Sequence, residues 1–349
     1  MNDLLTIVMD FALLILSFGA MHFVSEKYFI GSLDHISKKL RLSSDMAGST
    51  LMAAGSSAPE LAVALFSILM AGNHEAIGVG TIVGSALFNI LVITGVVMYI
   101  RGTVKMIWQP LFRDIVFYIL SIILLAYIFS DQQLSLSGSL IMVGIYVVYV
   151  AVVYFWKRIR SYEDIEPEPE KTGAHPKWSS WVPGIFVTID GFFTKFHFVV
   201  FFVSVAMISL LSWVLVKSAV SLSQTLGIPE LIIGITIVAV GTSVPDLISS
   251  VIVARQGRPG MAINNAIGSN IFDILIGLGL PFLLFMIFNP EGLMLASENL
   301  ALSVGILLAS ACVLLVFFLF AGWRSSRAFG IILIVLYFLY LGHVIFSAI

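Results

Sequence analysis

The amino-acid sequence predicts an all-α membrane protein, with ten transmembrane helices arranged as two inverted five-helix repeats with discontinuous central helices. Three observations carry this reading. Of 349 residues, 59% are hydrophobic and only 11% charged, where an ordinary soluble domain carries ~25% charged residues. Ten stretches reach the roughly 20 mainly apolar residues that a helix needs to cross the hydrocarbon core. Two motifs of the first half recur in the second, which marks an internal duplication.

The spans form two groups of five. The first runs approximately Leu4 to Val24, Asp45 to Met70, Ala76 to Ile100, Leu111 to Ser130 and Leu136 to Trp156. The second runs approximately Phe196 to Lys217, Leu231 to Ala254, Met261 to Ile287, Leu300 to Ala321 and Arg327 to Phe346. The organisation is therefore a first half over 1–156, a linker over 157–195 and a second half over 196–349. The first apolar run carries Asp3 and Asp10 where a secretory signal has a basic start, and it is read as a retained span.

Orientation follows from the basic residues, because Lys and Arg accumulate in cytoplasmic loops. The inter-span segments of one side receive 17 of the 18, Arg113 among them, and the other side receives only Lys217. Both termini are thus expected outside the cytoplasm of a multi-pass protein of the cell membrane, with the linker inside. That linker interleaves Glu163, Asp164, Glu166, Glu168 and Glu170 with Pro167 and Pro169, a composition that stays solvated and extended. After it, Trp178, Trp181, Phe186, Phe192 and Phe193 read as a stretch lying on the cytoplasmic membrane surface. The net charge of −2 and the scattered basic residues point away from a nucleic-acid surface. The single cysteine, Cys312, is expected to pack passively in its apolar run.

The repeat carries the most information. Gly55-Ser-Ser-Ala-Pro-Glu60-Leu61 recurs as Gly241-Thr-Ser-Val-Pro-Asp246-Leu247, and Gly84-Ser-Ala-Leu-Phe-Asn89-Ile90 recurs as Gly268-Ser-Asn-Ile-Phe-Asp273-Ile274. The offsets are 186 and 184, and the difference falls in the short turn around Asn73 and His74. Five spans per half is an odd number, so the second half enters the membrane from the opposite side. Matching Gly/Pro-interrupted segments in two inverted halves are the arrangement that places a transporter's site near the bilayer midplane.

Glu60, Asp246 and Asp273 fall well inside hydrophobic spans, where each uncompensated charge costs roughly 2.5 to 3.5 kcal/mol. No Lys or Arg lies inside the same spans, so protons, mutual hydrogen bonds or bound cations must compensate them. Oxygen donors at helical spacing favour cations. Ser56 and Ser57 precede Glu60, Thr242 and Ser243 precede Asp246, Ser85 precedes Asn89 and Ser269 precedes Asp273. Pro59 and Pro245 remove backbone donors and are expected to interrupt their helices, freeing carbonyls such as those of Ala53 and Ala239. Hydroxyls, carboxylates, amides and carbonyls without His or Cys suit hard ions such as Ca²⁺ and Na⁺ and suit Zn²⁺ or Cu⁺ poorly. The six histidines lie in loops or near span ends and are read as bystanders.

These paired motifs resemble the alpha-repeats of the cation/calcium antiporter superfamily, and within it the sodium/calcium exchangers, particularly their potassium-dependent branch. The likeness spans Ala53 to Gly95 and Ala239 to Pro281, inside repeats of about 44–100 and 229–287. It implies ten spans as five plus five, no cofactor and no enzymatic activity. It also implies Glu60 and Asp246 as a central pair sharing Ca²⁺ with Ser56 and Thr242, flanking Na⁺ sites at Ser57, Ser85, Ser243 and Ser269, and Asn89 and Asp273 facing the middle. The potassium-dependent branch has an aspartate where Asp273 stands, while Ala86 opposite Asn270 leaves co-transport of K⁺ open. The expected activity is exchange of Na⁺ for Ca²⁺ by alternating access, with the first and sixth spans sliding against the repeat core. Proton-coupled Ca²⁺ exchange is the nearest alternative. An intramembrane aspartyl protease on Asp246 and Asp273 would need neither Glu60 nor the hydroxyls, and a passive channel would show no counterflow. The partners are inorganic cations and the lipid bilayer.

Overall fold

The computed structural model describes residues 3–30, 32, 53–70, 74–130, 133–159, 197–255, 257–289, 293–294 and 298–348, and the statements below concern these. The first half comprises α1 (Asp3–Val24), α2 (Ala53–Ser56), α3 (Ala58–Leu69), α4 (Glu75–Arg101), α5 (Trp108–Ser130) and α6 (Leu136–Ile159). The second comprises α7 (His197–Leu226), α8 (Glu230–Arg255), α9 (259–288), α10 (Glu298–Phe320) and α11 (Arg327–Ala348). Among the described residues nine helical stretches are long and apolar enough to cross a membrane. The shorter α2–α3 pair occupies the place of the second span, whose predicted residues 45–52 lie outside the described ones. The linker and the aromatic stretch following it lie outside them as well.

The helices form because each carries a long apolar run, and α4 is the most enclosed of the long ones, with 94% of its apolar window buried. Glycines let the core helices approach. A Cβ on Gly95 would lie 2.7 Å from the Gly330 carbonyl oxygen of α11, and one on Gly80 would lie 2.7 Å from the Leu231 carbonyl oxygen of α8. α1 and α7 pair with each other at the margin: Phe29 stacks on Phe201 at 5.3 Å, and Ser212 Oγ lies 3.9 Å from Met21 Sδ. These contacts set the two helices antiparallel.

The loops repeat the internal symmetry. β1 (Gln133–Leu134) pairs antiparallel with β2 (Leu293–Met294), joining the α5–α6 and α9–α10 turns. The symmetry-related turns, α10–α11 and α4–α5, meet through a bridge between Lys105 and Arg324. Equivalent pairings at opposite ends of the bundle are what an inverted repeat produces.

Four expectations need correction. Arg113 is not in a loop but buried in α5, where its guanidinium donates to Asp114 at 2.7 and 3.1 Å and Tyr149 Oη donates to the same carboxylate at 3.1 Å. Opposite charge and a phenol satisfy it there, so it contributes nothing to loop charge. Lys217 likewise lies within α7, which continues to Leu226 with the Ser223 and Thr225 hydroxyls of its last turns donating to the carbonyls of Ile228 and Ser221. Cys312 is exposed on α10 rather than packed. Finally His74 is more than a bystander: its Nδ1 lies 2.8 Å from Glu230 Oε1, tying the α3–α4 turn to the start of α8.

Candidate cation-binding site

Local breaks in the helices aim the candidate ligands inward. α2 ends and α3 begins around Ser57, with Pro59 in the first turn of α3. Glu60 therefore stands at a helix N-terminus, whose unpaired N–H groups and dipole favour negative charge. In the second half Pro245 sits inside a continuous helix, so the expected break at that position does not occur. Irregularity appears about two turns earlier, as a π-helical segment over Gly234–Val238. π-helical segments also contain the other two polar positions, Asn89 in Phe88–Ile93 of α4 and Asp273 in Asp273–Leu278 of α9. Such widened turns rotate a side chain out of the regular register and occur often at functional sites.

The carbonyls are not freed in the way the prolines suggested. The Ala53 carbonyl accepts the Ser57 N–H at 3.0 Å, and the Ala239 carbonyl takes the Thr242 hydroxyl at 3.3 Å. The carbonyl that Pro59 deprives of its i+4 donor is that of Gly55, and the Ser25 hydroxyl supplies a replacement at 3.2 Å. Ala53 and Ala239 are nevertheless fully buried beside the site.

The two halves meet through polar side chains. Ser56 Oγ lies 3.0 Å from Ser269 Oγ, and Ser85 Oγ lies 2.8 Å from Ser243 Oγ. Asn89 Nδ2 donates to Asn270 Oδ1 at 2.9 Å, and Asn270 Nδ2 donates to the Ala86 carbonyl at 3.0 Å. Repeat symmetry pairs Ser57 with Ser243, yet it is Ser56 that makes the equivalent cross-contact. The break at Ser57 shifts the first half by one residue relative to the unbroken α8. Asn270 was missing from the sequence-derived set, and its signal was an amide three residues before Asp273, inside the recurring motif.

Glu60, Asp246 and Asp273 are all buried and close enough to act on one another electrostatically, with the Thr242 hydroxyl toward Glu60 and that of Ser57 toward Asp273. Among the described residues, both carboxylate oxygens of Glu60, Asp273 Oδ1, Asn89 Oδ1 and Ser57 Oγ complete no hydrogen bond. Buried oxygens in native folds are rarely left so. Every orphan here can accept a cation. No three His, Cys, Asp or Glu side chains among the described residues converge enough to hold a metal by themselves, so any ion here must share hydroxyl and amide oxygens. The sequence-derived residues thus come together in one buried, oxygen-lined centre between the repeats.

Comparison with known proteins identifies the family and the fold. The chain matches the profile of the family described as sodium/calcium exchanger protein over residues 10–155 and 196–346. It is 30% identical to the human (Homo sapiens) sodium/potassium/calcium exchanger 5, over 95% of this chain and 81% of that one. It is 28% identical to the mouse (Mus musculus) sodium/potassium/calcium exchanger 4, over 93% and 79% respectively. Among solved structures its fold is similar to that of the H⁺/Ca²⁺ exchanger CAX, with a TM-score of 0.75 at 16% identity, covering 95% of this chain and 81% of that one. It is also similar to the sodium-calcium exchanger NCX_Mj soaked with Na⁺ and Sr²⁺, with a TM-score of 0.59 at 24% identity, covering 96% and 98%.

Proposed function

The chain belongs to the sodium/calcium exchanger protein family, and from that premise we propose that it is a secondary antiporter exchanging Na⁺ for Ca²⁺ at the centre between its two repeats. As a family member it is a membrane-embedded exchanger of inorganic cations and not an enzyme. The observation that carries the finer reading is the set of orphaned buried oxygens, drawn from both halves and accompanied by three carboxylates with no basic residue in their helices' interiors.

Glu60 and Asp246 are the central pair for Ca²⁺, with Ser56 and Thr242 beside them. Ser57, Ser85, Ser243 and Ser269 supply hydroxyls for Na⁺, and Asn89 and Asp273 close the middle. Three ionised carboxylates match Ca²⁺ plus one monovalent cation, or three Na⁺. K⁺ is that monovalent ion when Asp273 is ionised, as the names of the similar sodium/potassium/calcium exchangers suggest. Occupation by Na⁺ removes oxygens that Ca²⁺ needs, and this competition couples the two fluxes.

Flux measurements in proteoliposomes test the coupling. An outward Na⁺ gradient should drive ⁴⁵Ca²⁺ uptake with the pH gradient collapsed, and Asp273→Asn should change the K⁺ or pH dependence more than Ca²⁺ selection. Uptake that survives only with a proton gradient would replace Na⁺ by H⁺ in this reading.

Packing around the site supports alternating access. α7 lies along α3, whose Pro59, Glu60, Val63, Ala64 and Ser67 are buried. α1 touches α8 chiefly where the Phe18 ring covers Gly241, and Val244, Ile248 and Ile252 further along α8 are exposed. With Arg113 and Lys217 set aside, the basic residues of the inter-span segments all fall on one side, and that exposed end of α8 then faces the cytoplasm. A cysteine replacing Ile248 in a Cys312→Ser background should react with a membrane-impermeant thiol reagent from the cytoplasmic side only. Labelling from the outside alone would reverse the assignment.

A further inference from the structure

A second polar site lies away from the cation centre, between the peripheral helices α1 and α7. A cavity of about 300 Å³ is lined by Asp10 and Leu13 of α1 and by Trp213, Lys217, Ser218 and Ser221 of α7. Asp10 is 7% exposed, and its Oδ2 is buried without a hydrogen-bond partner. On the facing wall the Lys217 ammonium rests 5.3 Å from the centre of the Trp213 ring. One negative and one positive group thus share a cavity without forming an ion pair within it.

The mouth of the cavity is apolar. Leu13 and Trp213 line it and are 39% and 41% exposed. They share helix faces with Met9 and Leu210, which are 47% and 63% exposed and therefore lie on the lipid-facing flank. Asp10 is seven residues from the start of α1, about 10 Å along the helix. The polar zone of one leaflet is roughly 5 to 8 Å thick, so Asp10 sits near the boundary between head groups and hydrocarbon.

We propose that this cavity binds the zwitterionic head group of an aminophospholipid, its ammonium donating to Asp10 and its phosphate meeting Lys217, while the acyl chains leave past Leu13 and Trp213. A primary ammonium supplies the N–H donors that the orphaned Asp10 oxygen lacks; a choline head group, of the same charge, has none to give. Ser218 and Ser221 offer hydroxyls to the phosphate. A plain cation is disfavoured because Lys217 faces the same space. Since α1 and α7 are the elements expected to move during exchange, the lipid would sit against the mobile pair, but its binding does not depend on which ions are exchanged.

The test uses the full-length protein purified from vesicles containing equal amounts of phosphatidylethanolamine, phosphatidylcholine and phosphatidylglycerol, with bound lipid read by native mass spectrometry. Charge-assisted hydrogen bonds set the expected preference for phosphatidylethanolamine over phosphatidylcholine at about tenfold. The preference should vanish in Asp10→Asn and persist in Asp10→Glu, which keeps the carboxylate and controls for folding, while Lys217→Met, which removes the partner of the phosphate common to both lipids, should lower the retention of both. A parallel arm offers free O-phosphoethanolamine. Its displacement of lipid that the wild-type protein carries out of the vesicles would support the head-group chemistry, whereas its binding to wild-type protein that retains no lipid at all would assign the site to a soluble zwitterion and overturn the lipid as occupant. Equal retention of ethanolamine and choline lipids by the wild-type protein, or a preference untouched by Asp10→Asn, would refute the proposal.

Discussion

Glu60→Ala is expected to reduce Ca²⁺ exchange by about a hundredfold or more, the factor that corresponds to losing a charged ligand worth ~3 kcal/mol. Asp246→Ala should act similarly. The effect on stability should run the other way. In the ion-free protein Glu60 is a buried carboxylate with two unpartnered oxygens beside two other acids. Removing it relieves part of a burial cost of ~2.5 to 3.5 kcal/mol. Thermal unfolding of the variant without Ca²⁺ should therefore occur at the wild-type temperature or above it, whereas the rise produced by added Ca²⁺ should be lost. Wild-type exchange rates in Glu60→Ala would remove the site assignment. A variant that neither exchanges nor inserts would show that Glu60 serves the fold, and the less drastic Glu60→Gln, which keeps the side-chain volume, separates those cases.

Gly84→Ala should be the most damaging single methyl group in the core. The added Cβ would collide with the Ile235 carbonyl oxygen and lie 2.7 Å from Ala239 Cβ and 2.8 Å from Ile235 Cα. Two of these obstacles are backbone, so no side-chain rotation can relieve them. On the other side of the same crossing, a Cβ on Gly234 would lie 2.6 Å from the Ile77 carbonyl oxygen. α4 and α8 must then separate, and overpacking of this kind costs ~1 to 3 kcal/mol. The damage reaches the site because Ser85, the next residue, meets Ser243 at 2.8 Å across that crossing. We expect a lower unfolding temperature together with at least a tenfold loss of exchange, measured on the same preparation. Full activity with unchanged thermal unfolding would mean that the crossing is looser than its geometry.

Much of the architecture was legible in the chain itself, because a bilayer imposes a one-dimensional rule. Apolar runs of sufficient length must become helices, and their number and order follow. Span limits agreed with the structure to within about three residues at most ends, the C-terminus of α7 being the main exception. Lys217 misled there because charge was read as a loop signal, while the folded helix shelters that charge over Trp213. Arg113 misled for the same reason, since its partner Asp114 is adjacent in sequence but the pair becomes tolerable only when Tyr149 of α6 closes over it.

The candidate site divides along the same line. Its residue types were readable because acids and hydroxyls stand out against apolar spans, and the internal duplication matched each with a counterpart. Cross-contacts were not readable. That Ser56 meets Ser269 while Ser243 meets Ser85 depends on a helix break at Ser57 that has no equal at Ser243. The central place of Asn270 also depends on packing, since it bridges Asn89 and the Ala86 carbonyl of the opposite repeat.

By itself, then, the amino-acid order determined which segments enter the membrane, that the two halves run in opposite senses, and which oxygens are too polar to lie there unaccompanied. Those properties are local or periodic, and solvent alone enforces them. Only the tertiary structure decided which oxygens face one another and which charges find shelter. The facing oxygens depend on contacts between residues more than a hundred positions apart, such as Ser56 with Ser269, and the sheltered charges on side chains from a neighbouring turn or helix, such as Tyr149 over Asp114.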